Sequence, residues 1–140
     1  MNLRQVTLTL LLSYVLFTCG CRDGRPIVYP VLGIVTMRGK PVADARVMFH
    51  AESGEDALRP IAITNSEGEF EMTTSNLNDG VPEGNFVITV ERRAWIDEGD
   101  ERVRRGEHEL PVQFSSYETS PLQACVVPGK NERLELKLDE

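Results

Sequence analysis

Two histidines, His50 and His108, and two tyrosines, Tyr29 and Tyr117, supply in this 140-residue sequence four side chains that could ligate a transition metal. Their spacing follows no ligand pattern. No serine or cysteine flanks either histidine, so a nucleophile and its base could meet only through the fold. Four acids, Asp97, Glu98, Asp100 and Glu101, offer the carboxylate oxygens that calcium takes, but their spacing fits no calcium loop. Arg92, Arg93, Arg102, Arg104 and Arg105 stand close enough in sequence to neutralise them. Asn76, Asn78 and Asp79 form a weaker set that turn formation explains. No catalytic residue, metal or cofactor is therefore expected. Trp95, between Arg93 and Asp97, is the candidate ligand contact, because an indole there could stack on a sugar or anchor a protein partner.

The three cysteines carry a different chemistry. A single basic residue, Arg4, precedes an apolar run from Val6 to Phe17, and Cys19 and Cys21 follow it closely. Spanning a bilayer takes about 20 apolar residues, and this run is shorter, so a cleaved signal peptide over residues 1–20 is expected. The segment Leu16-Phe17-Thr18-Cys19-Gly20-Cys21 resembles the lipobox of bacterial lipoproteins, in which small residues precede the cysteine that is acylated and becomes the mature N-terminus. Gly20 makes Cys21 the expected lipidation site. Cys19, preceded by Thr18 but with Leu16 three residues back, is the alternative. Cys125 would then be a lone thiol, able to cross-link two copies in an oxidising compartment.

Charge narrows the partners. With 15 Lys plus Arg against 22 Asp plus Glu the net charge is −7, which argues against a nucleic-acid binder; loss of residues 1–20 removes only Arg4 and takes the charge to −8. An acidic body does not dock onto anionic lipid, so any membrane attachment must be covalent. Two or three acyl chains would hold the protein firmly where one would not. Arg22 follows Cys21, in place of the Asp that retains some lipoproteins at the inner membrane, which allows a periplasmic or an outer-membrane location.

The elements that must position these residues read as strands. After a polar tether over residues 21–28, seven segments alternate apolar and polar or run β-branched: Tyr29 to Met37, Ala45 to His50, Ile61 to Thr64, Glu69 to Thr73, Phe86 to Val90, Leu122 to Val127 and Leu134 to Leu138. Turn chemistry separates them at Arg38-Gly39-Lys40-Pro41, Asn65-Ser66-Glu67-Gly68 and Pro128-Gly129-Lys130-Asn131. The first two segments read as a hairpin or its near equivalent. Phe70 and Met72, then Phe86, Ile88 and Val90, then Leu134, Leu136 and Leu138 are the expected core faces, and Cys125 should point away from Ala124 and Val126. No helical stripe follows the signal. The expected fold is all-β, one antiparallel seven-stranded Greek-key β-sandwich over residues 29–140. Residues 91–110 hold twelve charged side chains and few apolar ones, and read as a long solvated loop outside it.

The series Gly33-Ile34-Val35-Thr36, Gly39-Lys40-Pro41-Val42-Ala43-Asp44-Ala45, Thr64-Asn65-Ser66-Glu67-Gly68 and Gly84-Asn85-Phe86-Val87-Ile88-Thr89-Val90 resembles the carboxypeptidase regulatory-like, or transthyretin-like, β-sandwich. Such domains are mostly non-catalytic binding, adhesion or stalk modules. The resemblance implies an envelope module without enzyme activity, reached by an envelope protein or polysaccharide partner. The one hydrolytic relative carries a C-terminal Tyr-Arg-Gly-Ser type motif where this chain ends Leu136-Lys137-Leu138-Asp139-Glu140. A related domain that forms Lys–Asn isopeptide bonds needs a buried lysine in an early strand, and Lys40 lies in a turn. Carbohydrate binding through Trp95 and the 91–110 segment is the alternative function, and an enzyme on this fold a more distant one.

Overall fold

The computed structural model describes residues 24–53, 58–97 and 103–139. The expected signal segment, residues 1–20, and Cys21 and Arg22 lie outside the described residues, as do Glu98, Asp100, Glu101 and Arg102. The described chain is all-β. Its strands are β1 Val28–Tyr29, β2 Leu32–Met37, β3 Lys40–Pro41, β4 Arg46–Ala51, β5 Ile61–Ile63, β6 Glu69–Glu71, β7 Val81–Pro82, β8 Gly84–Glu91, β9 Arg93–Asp97, β10 Val103–His108, β11 Gln123–Val126 and β12 Leu134–Lys137. A 3₁₀ turn spans Val112–Ser115. No helix among the described residues is long and apolar enough to cross a membrane.

Two sheets enclose one core. The first joins β12, β2 and β3, with β6 also paired to β2; the second runs in the order β11-β8-β4-β5. Alternation decides which side chains meet between them. Val35, Phe70, Leu136 and Leu138 come from the first sheet or its ends, and Val47, Phe49, Ile88 and Val90 from the second, all buried in a single apolar cluster. Phe49 and Phe86 touch at a ring-centroid distance of 5.5 Å. The core positions expected on these strands are occupied as the period-2 pattern requires, with Leu134 only partly buried.

Three expectations need correction. β2 and β4 do not form a hairpin: Arg38 and Gly39, both at positive φ, close a tight turn between β2 and the two-residue β3, after which the chain crosses to the other sheet. Positive φ at both central residues is the type I′ geometry that matches strand twist. The sheets are not antiparallel throughout either, since β12 pairs parallel with β2. Its chain arrives from β11 in the opposite sheet through residues 127–133 and meets β2 at the end where β2 begins. Lastly, residues 91–110 are not one long loop. β9 and β10 form an antiparallel ribbon, with Asp97 opposite Val103, Ile96 opposite Arg104, Trp95 opposite Arg105 and Arg93 opposite His108.

The register also sets the poles. Val28 pairs with Pro82 just before β8 begins, whereas the ribbon leaves after Glu91, which pairs with Arg46 at the start of β4. The point where the chain enters and the ribbon thus lie at opposite ends of β8, separated by about 26 Å of strand.

Candidate functional site

The base of the ribbon is built from charged residues that the strand ends bring together. Arg46 and Glu91 face each other across β4 and β8, Nε to Oε1 at 3.3 Å, and the second carboxylate oxygen of Glu91 is 3.7 Å from Arg93 Nε. On the returning strand, Glu109 closes the ribbon by donating its N–H to the Arg92 carbonyl at 3.0 Å, and its carboxylate is 2.7 Å from Arg92 Nε. Arg92 also donates from Nη1 to the Ala43 carbonyl at 3.3 Å, tying the ribbon to the loop between β3 and β4. Arg93 donates from Nη2 to His108 Nε2 at 2.5 Å.

A groove of about 490 Å³ opens beside these pairs, lined by Asp44, Arg46, Ile63, Glu91, Arg93 and Ala94 among others. Its guanidinium groups stand against carboxylates, so the groove presents paired charge. That suits selective polar contact more than proton transfer, which needs a group poised to change its charge.

The other candidates are dispersed. His50 sits on β4 opposite Val87, with Nε2 at 2.9 Å from Thr89 Oγ1 and its ring edge-on to Tyr117 at 5.8 Å between centroids. Glu118, on the segment that carries Tyr117, is held below the usual carboxylate range chiefly by the Ser116 hydroxyl, then by its own N–H, with a smaller pull from His50. Among the four residues considered as metal ligands, the fold brings His50 to Tyr117, while His108 goes to Arg93 and Tyr29 to the β1–β7 pair. Among the described residues no group of three or more His, Cys, Asp or Glu side chains lies close enough to hold a metal ion.

Asp79 is a turn residue, as its surroundings in sequence suggest. Burial acts to raise its pKa, but the backbone N–H groups of Thr74, Asn76 and Ser75 outweigh burial and lower it. Cys125 is an exposed free thiol on β11. Trp95 and Asp97 lie on β9, and Arg104 and Arg105 on β10.

Sequence reading missed the Arg46–Glu91 and Arg92–Glu109 pairs. Nothing local announces them, because each joins residues that only strand pairing makes neighbours. The chain matches no known family model, no curated protein and no solved structure.

Proposed function

We propose that this protein is an exported envelope lipoprotein whose body is a non-catalytic binding or structural module. In this reading Cys21 is acylated, residues 1–20 are removed, and the two sheets are the halves of a Greek-key sandwich of the carboxypeptidase regulatory-like, transthyretin-like kind. The seven main strands are β2, β4, β5, β6, β8, β11 and β12, and the short or peripheral pairs are additions to them.

The observation that carries the reading is the opposition of the two poles. The chain enters beside the start of β8 and the charged ribbon leaves from its end. Held to a bilayer through residues 21–27, a tether of at most about 25 Å, the body would carry its ribbon on the side away from the lipid. That is where an envelope protein or polysaccharide can reach it, and where a long solvated extension has a use.

The test is intact mass and globomycin sensitivity of the full-length protein, in wild type, Cys21→Ala and Cys19→Ala. Acylation lost only in Cys21→Ala is the expected result. A mature chain of unmodified mass, insensitive to globomycin, would overturn the anchor and leave a freely secreted domain.

A further inference from the structure

β9 and its flanks read Arg92-Arg93-Ala94-Trp95-Ile96-Asp97-Glu98: two cations, three residues centred on tryptophan, two anions. Turned end for end, this string meets its own charge complement. Antiparallel pairing of two such strands about Trp95 sets Arg93 opposite Asp97, Ala94 opposite Ile96 and Trp95 opposite Trp95, as a two-fold interface requires.

The fold leaves the necessary edge open. β9 pairs with β10 on one side, and among the described residues no strand takes the other. The outer edge of β10 differs, because its register shifts between Arg105 and His108, and such irregularities are one way in which edges are kept from pairing. β9 takes two steps from Trp95 to Arg93 where β10 takes three from Arg105 to His108, so the extra residue of the irregularity lies on β10. A two-stranded ribbon standing outside a core is also marginal in water and gains from further strands.

We propose that β9 pairs antiparallel with β9 of a second copy of this chain, joining two ribbons into a four-stranded sheet of order β10-β9-β9-β10. Glu98, the residue that would face Arg92, lies outside the described residues, so the register rests on Arg93 with Asp97, a pair that the symmetry uses twice. Arg93 keeps Glu91 and His108 on two of its nitrogens and has further N–H donors to offer. The inference rests on the ribbon being the contact surface and is independent of the lipid anchor.

Disulfide trapping in the full-length chain tests it, in a Cys125→Ser background that also serves as control for the N-terminal cysteines. A residue on the two-fold axis faces its own copy, so Trp95→Cys should cross-link on mild oxidation several-fold above the control, and Ala94→Cys should not. Adding Arg93→Glu should reduce the cross-link several-fold, and combining Arg93→Glu with Asp97→Arg should restore it, which a misfolded ribbon would not do. A Trp95→Cys yield equal to the control, or one indifferent to Arg93→Glu, overturns the pairing. If the cross-link fails while Trp95→Ala abolishes retention on an envelope polysaccharide, the ribbon serves another partner and the self-pairing is ended. A cross-link that persists in Cys21→Ala supports the pairing without the anchor, and one lost there overturns its independence of the anchor.

Discussion

Phe70 lies against Gly33 across the β2–β6 pair, so closely that a Cβ at position 33 would come within 3.0 Å of the ring and 2.9 Å from the Leu134 carbonyl. Gly33 is the middle residue of three strands, opposite Phe70 on one side and Leu134 on the other. The glycine makes room for the ring that fills the first sheet's share of the core.

Gly33→Ala should therefore destabilise the protein by about 1–3 kcal/mol through overpacking, more than the smaller entropy of the unfolded alanine chain returns. A lowered urea midpoint at unchanged slope is the expected observation. A neutral substitution would mean that Phe70 can swing aside without loss.

Thr64 is a buried staple between the sheets. Its hydroxyl donates to the Val42 carbonyl at 2.6 Å and accepts from the Ala45 N–H at 2.9 Å, fixing the loop that carries the chain from β3 to β4. Thr64→Val keeps the shape and strands both backbone groups, at a cost of about 1–3 kcal/mol. Equal stability of the two proteins in denaturant would refute the assignment.

The Asp79 carboxylate closes the loop after β6 by accepting from three backbone N–H groups. Its folded pKa is lowered, so it contributes stability above the unfolded value, near 3.9, and that contribution is lost as pH falls through the folded value below it. Amide exchange of Thr74, Ser75 and Asn76, corrected for intrinsic rates, should show protection that falls only in strong acid. Asp79→Asn should remove the acid dependence, and a loop equally protected in both proteins would contradict this account.

Cys125 is exposed on β11 and its partner in register is Asn85. A maleimide should label it in the native protein at the rate of an open thiol. Cys125→Ser should change stability by no more than about 0.5 kcal/mol, as for a surface site. Labelling that waits for denaturant would show the thiol to be shielded.

Much of the core was legible because it depends on a local rule. Side chains alternate across a strand, so Phe70 and Met72, and Phe86, Ile88 and Val90, could be assigned to one face before any partner strand was known. The same rule errs on β8. Val87 and Thr89 alternate with the inward residues, yet both are buried: His50 Nε2 lies 2.9 Å from Thr89 Oγ1, and Tyr117 stands edge-on to the His50 ring. Phe114 is buried in the core cluster with Ile88, and beside β8 the Ser120 hydroxyl donates to the Ile88 carbonyl at 2.5 Å while the Ile88 N–H reaches the Leu122 carbonyl at 2.8 Å. Alternation describes a strand's faces and says nothing of what comes to cover them.

The candidate site was legible only in composition. Charge density marked residues 91–110 as an excursion, and it also suggested a loop, since strands seldom carry so many charges. Pairing overrides that preference: Arg93 to Asp97 extend because Val103 to His108 return beside them, and the charges of Arg92 and Glu109 meet at the base.

What the sequence determined by itself was all that depends on neighbours along the chain: the β class, the turns at Arg38-Gly39 and Asn65 to Gly68, the inward residues and the acidic balance. Tertiary structure alone decided the partners. β4 crosses to the second sheet instead of returning along β2, β12 runs parallel to β2, and the ribbon stands at the pole opposite the chain's entrance. Backbone N–H and C=O groups are alike at every residue, so they specify that a strand must pair without specifying with which. That choice falls to the side chains of distant segments, and here it is the burial of Phe49, Ile88, Val35 and Leu136 in one core that sets the two sheets face to face.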